Sequence, residues 1–149
     1  MGGRVHVYEA SIIWTENRGQ GTSAHKNYDR DHVLRVAGET QLPMSSDPAF
    51  LGDPARYNLE ELLVTAISSC HMLWYLHLCV ESRVVVAACE DCASGRLIVS
   101  TEDGGHFESV TLRPNVTIEA GETEAARRLH DLRAQEVLHR QFCQFPSFP

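Results

Sequence analysis

Cys70 stands in the middle of an apolar segment, directly after Ser68 and Ser69, and a thiol in that setting can act as a nucleophile. Only the thiolate attacks, so a neighbouring cation or strong donor must lower the ordinary thiol pKa of about 8.5. The two serines are small enough to let another group approach the sulfur. The same residue is also typical of a small apolar filler in a buried helix. Both interpretations stay open on the residues alone.

Two other sets of residues could serve as metal ligands or redox groups. Cys89 and Cys92 form a CxxC pair, but a structural zinc site needs four ligands, and the sequence has no second CxxC or HxxxH pair. The pair opens no helix after a βαβ pattern, which disfavours a thioredoxin-like site. His71 and His77 are six residues apart and do not share a helix face. We expect no metal, a surface position for the CxxC pair, and histidines satisfied by hydrogen bonds.

Composition limits the class of protein. The 149 residues amount to about one domain, with 43% hydrophobic and 22% charged residues and a net charge of -7. This charge disfavours nucleic acid and anionic membranes as partners. The first nine residues lack the apolar run of a signal peptide, and we expect no segment to span a bilayer. With five cysteines, an odd number, these features predict a soluble, cytoplasmic, single-domain protein with free thiols.

The element that must position Cys70 is a long helix predicted over residues 58–81. Asn58 can cap its first turn, and Glu61 follows three residues later, as in a capping box. Two apolar stripes cover most of the predicted circumference; they consist of Leu63, Ile67, Cys70, Trp74 and Leu78, and of Leu62, Ala66, Leu73, Leu76 and Val80. A helix that is apolar nearly all round is buried, so we expect the rest of the domain to wrap it. Cys79 is expected in the core.

The remaining pattern predicts N-terminal strands over residues 4–37, the first covering 4–14, and a connection over 38–57 with three prolines. A connection this long is usually functional. Strands are predicted within 83–118, including a hairpin with its turn at Gly104 and Gly105 and one continuous strand over 107–118. A second helix is predicted over 122–141. This order predicts an α+β fold in which an antiparallel sheet covers helices.

Residues 53–79, DPARYNLEELLVTAISSCHMLWYLHLC, resemble the signature of the OsmC/Ohr family of thiol-dependent organic hydroperoxide reductases, and the match is closest to its OsmC-like branch. Segments 14–19, 46–50, 84–86, 105–114 and 145–146 also match family positions, so the resemblance covers nearly the whole chain. It implies an OsmC-like fold, in which antiparallel sheets wrap long central helices in an intertwined homodimer. It also implies active sites between the subunits.

The resemblance implies a role for each matched residue. Cys70 matches the cysteine that attacks the peroxide, and Glu60 matches the glutamate that holds an activating arginine. Arg18 fits that arginine best, with Lys26 and Arg30 as alternatives. Because a helix dipole acts only within its first turn, mid-helix Cys70 depends on such a cation. The substrates implied are an organic hydroperoxide and an external thiol reductant, with no cofactor.

The second family cysteine is the point at which the sequence departs from the pattern. Its position, nine residues before Pro146, holds Val137, whereas Cys143 lies six residues further on, about 240° round a helix. Three alternatives follow. Cys143 resolves the oxidised Cys70 from a shifted tail, or an external thiol resolves it, or the chain has lost turnover. In the last case it is a non-catalytic OsmC-like dimer that binds a small hydrophobic ligand.

Overall fold

The structure is a computed structural model that describes residues 5–100 and 104–140, with the side chains of residues 5–100 and 104–131. The chain divides into two compact units, residues 1–62 and residues 63–149. Each unit is described by itself.

The N-terminal unit contains a three-stranded antiparallel sheet of β1 (Ser11–Trp14), β2 (His32–Arg35) and β3 (Leu42–Met44), in that order. Trp14 lies opposite His32 in the register of the sheet. The strand predicted over residues 4–14 is wrong in its first part, because residues 5–10 form no strand. Val5 and Val7 are exposed there, so the alternating pattern that predicted a buried face has no surface to cover.

The connection predicted over residues 38–57 contains structure that the sequence did not reveal. It holds β3 at the edge of the sheet and a short 3₁₀ turn at Pro48–Phe50. A three-residue strand with a proline in its centre gives almost no periodic signal, and an edge position is where a sheet tolerates proline. The prediction of a plain loop was therefore wrong for residues 42–44.

Helix α1 spans Leu59–Glu81, and its predicted capping box is confirmed. The backbone N–H of Glu61 donates to Asn58 Oδ1 over 2.8 Å, and the Asn58 N–H donates back to Glu61 Oε2 over 3.3 Å. The two bonds satisfy donors that the helix start would otherwise leave free. The start of the helix is thus fixed by two residues three positions apart.

The buried face of α1 differs from the predicted stripes. Its buried residues follow one another at four-residue spacing and are Ile67, His71, Tyr75 and Cys79. Leu73 and Val80 are 63% and 78% exposed, so the expectation that the helix is covered nearly all round is wrong for this chain. The error has a physical cause: half of the buried face is a histidine and a tyrosine, which an apolar count does not select.

By length and composition alone, α1 is also the one helix in the described part of the chain that could cross a membrane. The sequence had been expected to contain no such segment. Core helices of soluble proteins meet the same criterion, so length and composition do not decide between a core helix and a membrane-spanning helix.

The C-terminal unit contains two antiparallel strand pairs and helix α2 (Thr123–Arg140). β4 (Val85–Asp91) pairs with β7 (Pro114–Ala120), and β5 (Ser94–Ser100) pairs with β6 (Gly104–Thr111). The β5–β6 pairing confirms the predicted hairpin. The turn predicted at Gly104 and Gly105 is wrong, because both glycines belong to β6, where they pair with Ser100 and Val99. The continuous strand predicted over 107–118 is wrong: it breaks at residues 112–113, where the Arg113 N–H donates to Asp91 Oδ1 over 2.6 Å.

The core of this unit lies between the second half of α1, the start of α2 and the β4–β7 pair. Its buried residues are Tyr75, Cys79, Val84 and Ala126. The partly buried side chains against it come from both helices and both strands; they are Leu76, Val86, Val116, Ile118, Ala125 and Leu129. The arrangement is α+β, as predicted, and Cys79 is a core residue.

Candidate functional site

Cys70 is a free, half-buried thiol in the middle of α1. It lies next to the buried stripe of the helix and does not belong to it. Of the two serines before it, Ser68 is engaged, because its hydroxyl donates to Asp91 Oδ2 over 2.6 Å. Part of Cys70 is accessible, and the choice between a nucleophile and a small apolar filler stays open.

Glu60 lies in the first turn of α1, ten residues before Cys70. Its Oε2 atom is buried and has no hydrogen-bond partner among the described residues. A buried carboxylate oxygen without a donor is costly, so Glu60 Oε2 is a candidate acceptor for a cationic donor. Ten residues of helix span about 15 Å along the axis. Glu60 can therefore act on a thiol at Cys70 only through a third group.

Arg18 lies in the loop after β1, and its guanidinium is held by Asp29. Nε donates to Asp29 Oδ2 over 2.7 Å, and Nη2 donates to Asp29 Oδ1 in a second, shorter bond. This pairing raises the pKa of Arg18 above its ordinary value, first through the hydrogen bond and then through the charge of Asp29. Arg18 is thus a fixed cation whose Nη1 carries no hydrogen bond to a described residue.

The side chain of Arg30, an alternative cation, is held by contacts within its own loop. Its Nη1 donates to the carbonyls of His25 and Tyr28, over 2.6 and 2.8 Å, and its guanidinium carbon lies 4.2 Å from the centre of the Tyr28 ring. Three contacts of this kind hold a side chain in one position. Asp29 holds Arg18 in a comparable way, so the choice among Arg18, Lys26 and Arg30 and the roles of Glu60 and Cys70 stay predictions.

A polar network that sequence reasoning missed fixes the chain leading to Glu60. Ser45, fully buried, donates to Asp31 Oδ1 over 2.8 Å and accepts the Asp53 N–H over 3.0 Å. Arg56 lies 3.1 Å from Asp31 Oδ2. The cluster of Asp53 and Arg56 before the helix was visible in the sequence, but their partners, Asp31 just before β2 and Ser45 just after β3, were not.

The second predicted cysteine, Cys143, lies outside the described residues, and so does the side chain of Val137. The choice among an internal resolving thiol, an external one and a lost activity therefore stays a prediction.

His71 is satisfied by a hydrogen bond, as predicted, but its partner was missed. It is 2% exposed, and its Nε2 lies 2.9 Å from Nδ1 of His130 on α2. Burial lowers the pKa of His71 below its ordinary value, and the neighbouring His130 lowers it further. His77, on another face, pairs with Glu81. The two helix histidines do not meet.

Of the CxxC pair, Cys92 is exposed, as predicted, and Cys89 is half-buried. Burial raises the pKa of the Cys89 thiol, and the charge of Asp91 raises it further. Tyr75 in the adjacent core has its pKa raised in the same way, first by burial and then by its hydrogen bond with Cys79.

Comparison with known proteins identifies the fold. No protein-family model matches the chain, and no curated protein matches it. An OsmC-like protein of unknown function from Vibrio cholerae is 24% identical, with a TM-score of 0.77 over 89% of this chain and 90% of that one. The organic hydroperoxide resistance protein OsmC of Legionella pneumophila is 14% identical, with a TM-score of 0.66 over 91% and 87% of the two chains.

The organic hydroperoxide resistance protein OhrB of Bacillus subtilis is 16% identical, with a TM-score of 0.53 over 87% of this chain and 86% of that one. The chain therefore has the OsmC-like fold, as its resemblance in sequence implied.

Proposed function

We propose that this chain is a member of the OsmC/Ohr family and that it reduces organic hydroperoxides with electrons from thiols, through Cys70. The Cys70 thiolate attacks the terminal peroxide oxygen and the O–O bond breaks, which leaves a cysteine sulfenic acid and, after protonation, an alcohol. A reducing thiol then displaces water from the sulfenic acid and forms a mixed disulfide. A second thiol releases Cys70 and leaves as the oxidised disulfide.

The observation that carries this proposal is the buried Oε2 atom of Glu60, which has no hydrogen-bond partner in the part of the chain that the structure describes. A scaffold has no reason to bury a carboxylate oxygen that nothing satisfies. A site in which a guanidinium donates to this oxygen does have a reason to bury it. Arg18 is the cation of choice, since a guanidinium offers five donors and Asp29 uses only one edge of it.

A homodimer forms part of the proposal. Ala66, Leu73 and Val80 lie seven residues apart on α1, so they share one face, and all three are exposed. A seven-residue repeat of apolar side chains is the pattern by which one helix packs on another. A second copy of the same helix supplies a matching face by symmetry.

The same proposal places α1 in the core of a soluble, cytoplasmic protein rather than in a membrane. It requires no cofactor, because the electrons come from an external thiol. A net charge of -7 also argues against nucleic acid as a partner.

One observation favours a second candidate function. Val137 stands where the family pattern places its second cysteine. A chain that lacks this thiol could keep the fold as a non-catalytic dimer that binds a small hydrophobic ligand. The two functions differ in whether the chain turns over a peroxide at all.

The test is the consumption of cumene hydroperoxide by the purified protein with dithiothreitol and, separately, with a dihydrolipoyl thiol. We expect turnover in the wild type and none above background in Cys70→Ser. Cys79→Ala, which removes a thiol from the same helix, is the matched control, with circular dichroism to check its fold. A wild type that is inactive with every thiol would overturn the enzyme and leave the binding dimer.

Cys143→Ser separates the two remaining catalytic schemes. If this variant keeps its turnover, an external thiol resolves Cys70. If it loses turnover while its first reaction with peroxide persists, Cys143 is the resolving thiol.

A further inference from the structure

Arg18 follows an irregular stem that extends the β1–β2 pair beyond the sheet. In this stem residues 15–17 stay paired with residues 28–31, and Asn17 and Tyr28 form its last bridge. The N–H of Asp29 donates to the Glu16 carbonyl over 3.3 Å, which is longer than an ordinary backbone bond. Because the backbone bonds of the stem are long and irregular, side chains are needed to fix the residues at its end.

The side chain of Trp14 supplies two such contacts. Its Nε1–H donates to the Asp29 carbonyl over 2.9 Å. Its ring meets the Tyr28 ring edge to face, with the ring centres 5.8 Å apart and the planes at 88°. Aromatic pairs in this geometry are stabilised beyond the area that they bury. One side chain at the end of β1 thus holds two consecutive residues of the returning chain.

Asp29 connects these contacts to Arg18. Its backbone carbonyl accepts the indole N–H of Trp14, and its carboxylate accepts Nε and Nη2 of Arg18. The carbonyl and the carboxylate belong to one residue, so a bond that fixes the backbone of Asp29 also limits where its carboxylate can lie. The position of the guanidinium therefore depends on Trp14.

Asn17 fixes the backbone on the other side of Arg18. Its Oδ1 accepts the N–H of Gly19 over 2.9 Å and the N–H of Gly21 over 3.0 Å. Gly19 has a φ of 88°, a left-handed conformation that glycine adopts without steric cost. Since the turn around Arg18 is shaped by Asn17, the remaining freedom of the guanidinium is that of its own side chain and of its partner Asp29.

We propose that Trp14 is a positioning residue for Arg18 and acts through the backbone of Asp29. Without the indole N–H, the Asp29 carbonyl loses this donor, and its carboxylate and the bound guanidinium become free to shift together. The role of Trp14 in catalysis rests on the proposed function, because only there does the exact position of the guanidinium matter to Cys70. The hold on Arg18 is a property of the N-terminal unit and does not depend on that chemistry.

The first test measures the hold on Arg18 without any peroxide. Hydrogen exchange of the Arg18 Nε–H with water is followed by NMR, with the signal assigned by Arg18→Lys. We expect exchange to be roughly 3- to 10-fold faster in Trp14→Phe, which keeps a ring against Tyr28 and loses one hydrogen bond. Wild-type exchange in Trp14→Phe would overturn the proposal.

Thr15→Val is the matched control for this test. The Thr15 hydroxyl donates to the Asp31 carbonyl over 3.2 Å, so this variant also removes a bond from a side chain to a backbone carbonyl of the stem. It leaves Asp29 untouched, and we expect wild-type exchange of the Arg18 Nε–H. An equal acceleration in Thr15→Val would overturn the specific role of Trp14, because any weakening of the stem would then release the guanidinium.

The second test measures the consequence at Cys70. In Trp14→Phe, kcat/KM for cumene hydroperoxide should fall by roughly 3- to 10-fold, and the midpoint of the pH profile of Cys70 alkylation should move to higher pH. Thr15→Val should keep both values, and a purely structural role of Trp14 would leave the alkylation profile in place. An active protein in which Trp14→Phe frees Arg18 and changes neither value would overturn the catalytic role.

Failure of the proposed function gives a different result. A wild type that turns over no peroxide with any thiol would overturn that function, and the exchange measurement would still decide whether Trp14 holds Arg18. If circular dichroism shows that Trp14→Phe does not fold, Tyr28→Leu removes the other contact of the indole. Its exchange should then be faster than in the wild type, and an unchanged rate would count against the proposal in the same way.

Discussion

His130 Nδ1 lies 2.9 Å from His71 Nε2, so one hydrogen bond between two imidazole rings joins α2 to α1. The rings meet edge to face, with their centres 4.6 Å apart, and Tyr75 lies against His130 on the same side. One ring must donate and the other accept, so at least one histidine is neutral in this arrangement. The pair therefore links the docking of the two helices to protonation.

This pair predicts that the protein loses stability in mild acid. The ordinary pKa of His71 is 6.5, and its folded value is lower. Between the two values the unfolded chain binds more protons, so the contribution is complete above about pH 6.5 and is lost as the pH falls below it. Urea titrations should show that the free energy of unfolding decreases less between pH 8 and pH 5 in His71→Gln than in the wild type, because glutamine keeps a hydrogen-bonding side chain that does not titrate. An equal decrease in the two proteins would contradict this prediction.

The capping box predicts a loss of stability at the start of α1. Asn58→Ala removes the acceptor of the Glu61 N–H and should lower the free energy of unfolding by about 1 kcal/mol. Asn58→Asp retains the acceptor and should cost much less. Urea titrations at pH 8, where His71 contributes fully, measure both. An unchanged midpoint in Asn58→Ala would show that the bond adds nothing to stability.

The capping box and the His71–His130 pair show what the sequence could and could not predict. The capping box is local: two residues three positions apart determine it, so it was read correctly. The β5–β6 hairpin was also predicted, from the two glycines between two apolar segments, but its turn was misplaced because Gly104 and Gly105 are the first residues of β6. The His71–His130 bond spans 59 residues, and nothing in either local pattern indicates the other.

The missed strand and the misassigned helix face have different causes. β3 is three residues long and contains Pro43, so it has no period to detect. On α1 the apolar residues are divided between the core and an exposed stripe, and the sequence does not say which is which. Among the candidate site residues, Cys70 and Glu60 were suggested by a resemblance, whereas the Ser45 network required coordinates.

The exposed stripe on α1 predicts the oligomeric state. Leu73→Glu places a charge on the apolar face and should shift a dimer toward monomer, because burying an unpaired charge costs several kcal/mol. Light scattering after gel filtration measures the mass. Arg128→Glu, on an exposed position of α2, is the control and should remain dimeric. A wild type that is monomeric at micromolar concentration would refute the homodimer itself.

The unsatisfied oxygen of Glu60 predicts a positioning role. Glu60→Gln keeps the shape and removes the charge, and should lower kcat/KM for the hydroperoxide by about 100-fold, the size expected from a misplaced catalytic cation. Glu81→Gln, at the exposed far end of the same helix, is the matched control. The midpoint of the pH profile of Cys70 alkylation should move to higher pH in Glu60→Gln and stay in place in Glu81→Gln. A purely structural role would lower stability and leave that profile in place.

The Arg18–Asp29 pair predicts how the proposed cation is held. Asp29 engages the Nε and Nη2 atoms, which leaves Nη1 to donate to a thiolate or a peroxide oxygen. Asp29→Asn loses the negative charge that holds the Arg18 guanidinium. It should therefore lower kcat/KM for the hydroperoxide by roughly 10- to 100-fold, while the thiol content and the fold stay normal. Arg18→Lys should be as damaging, because an ammonium cannot reproduce two parallel bonds. If Asp29→Asn instead reacts faster with peroxide, Asp29 competes for Arg18, and the loop must release this pair before the arginine can act.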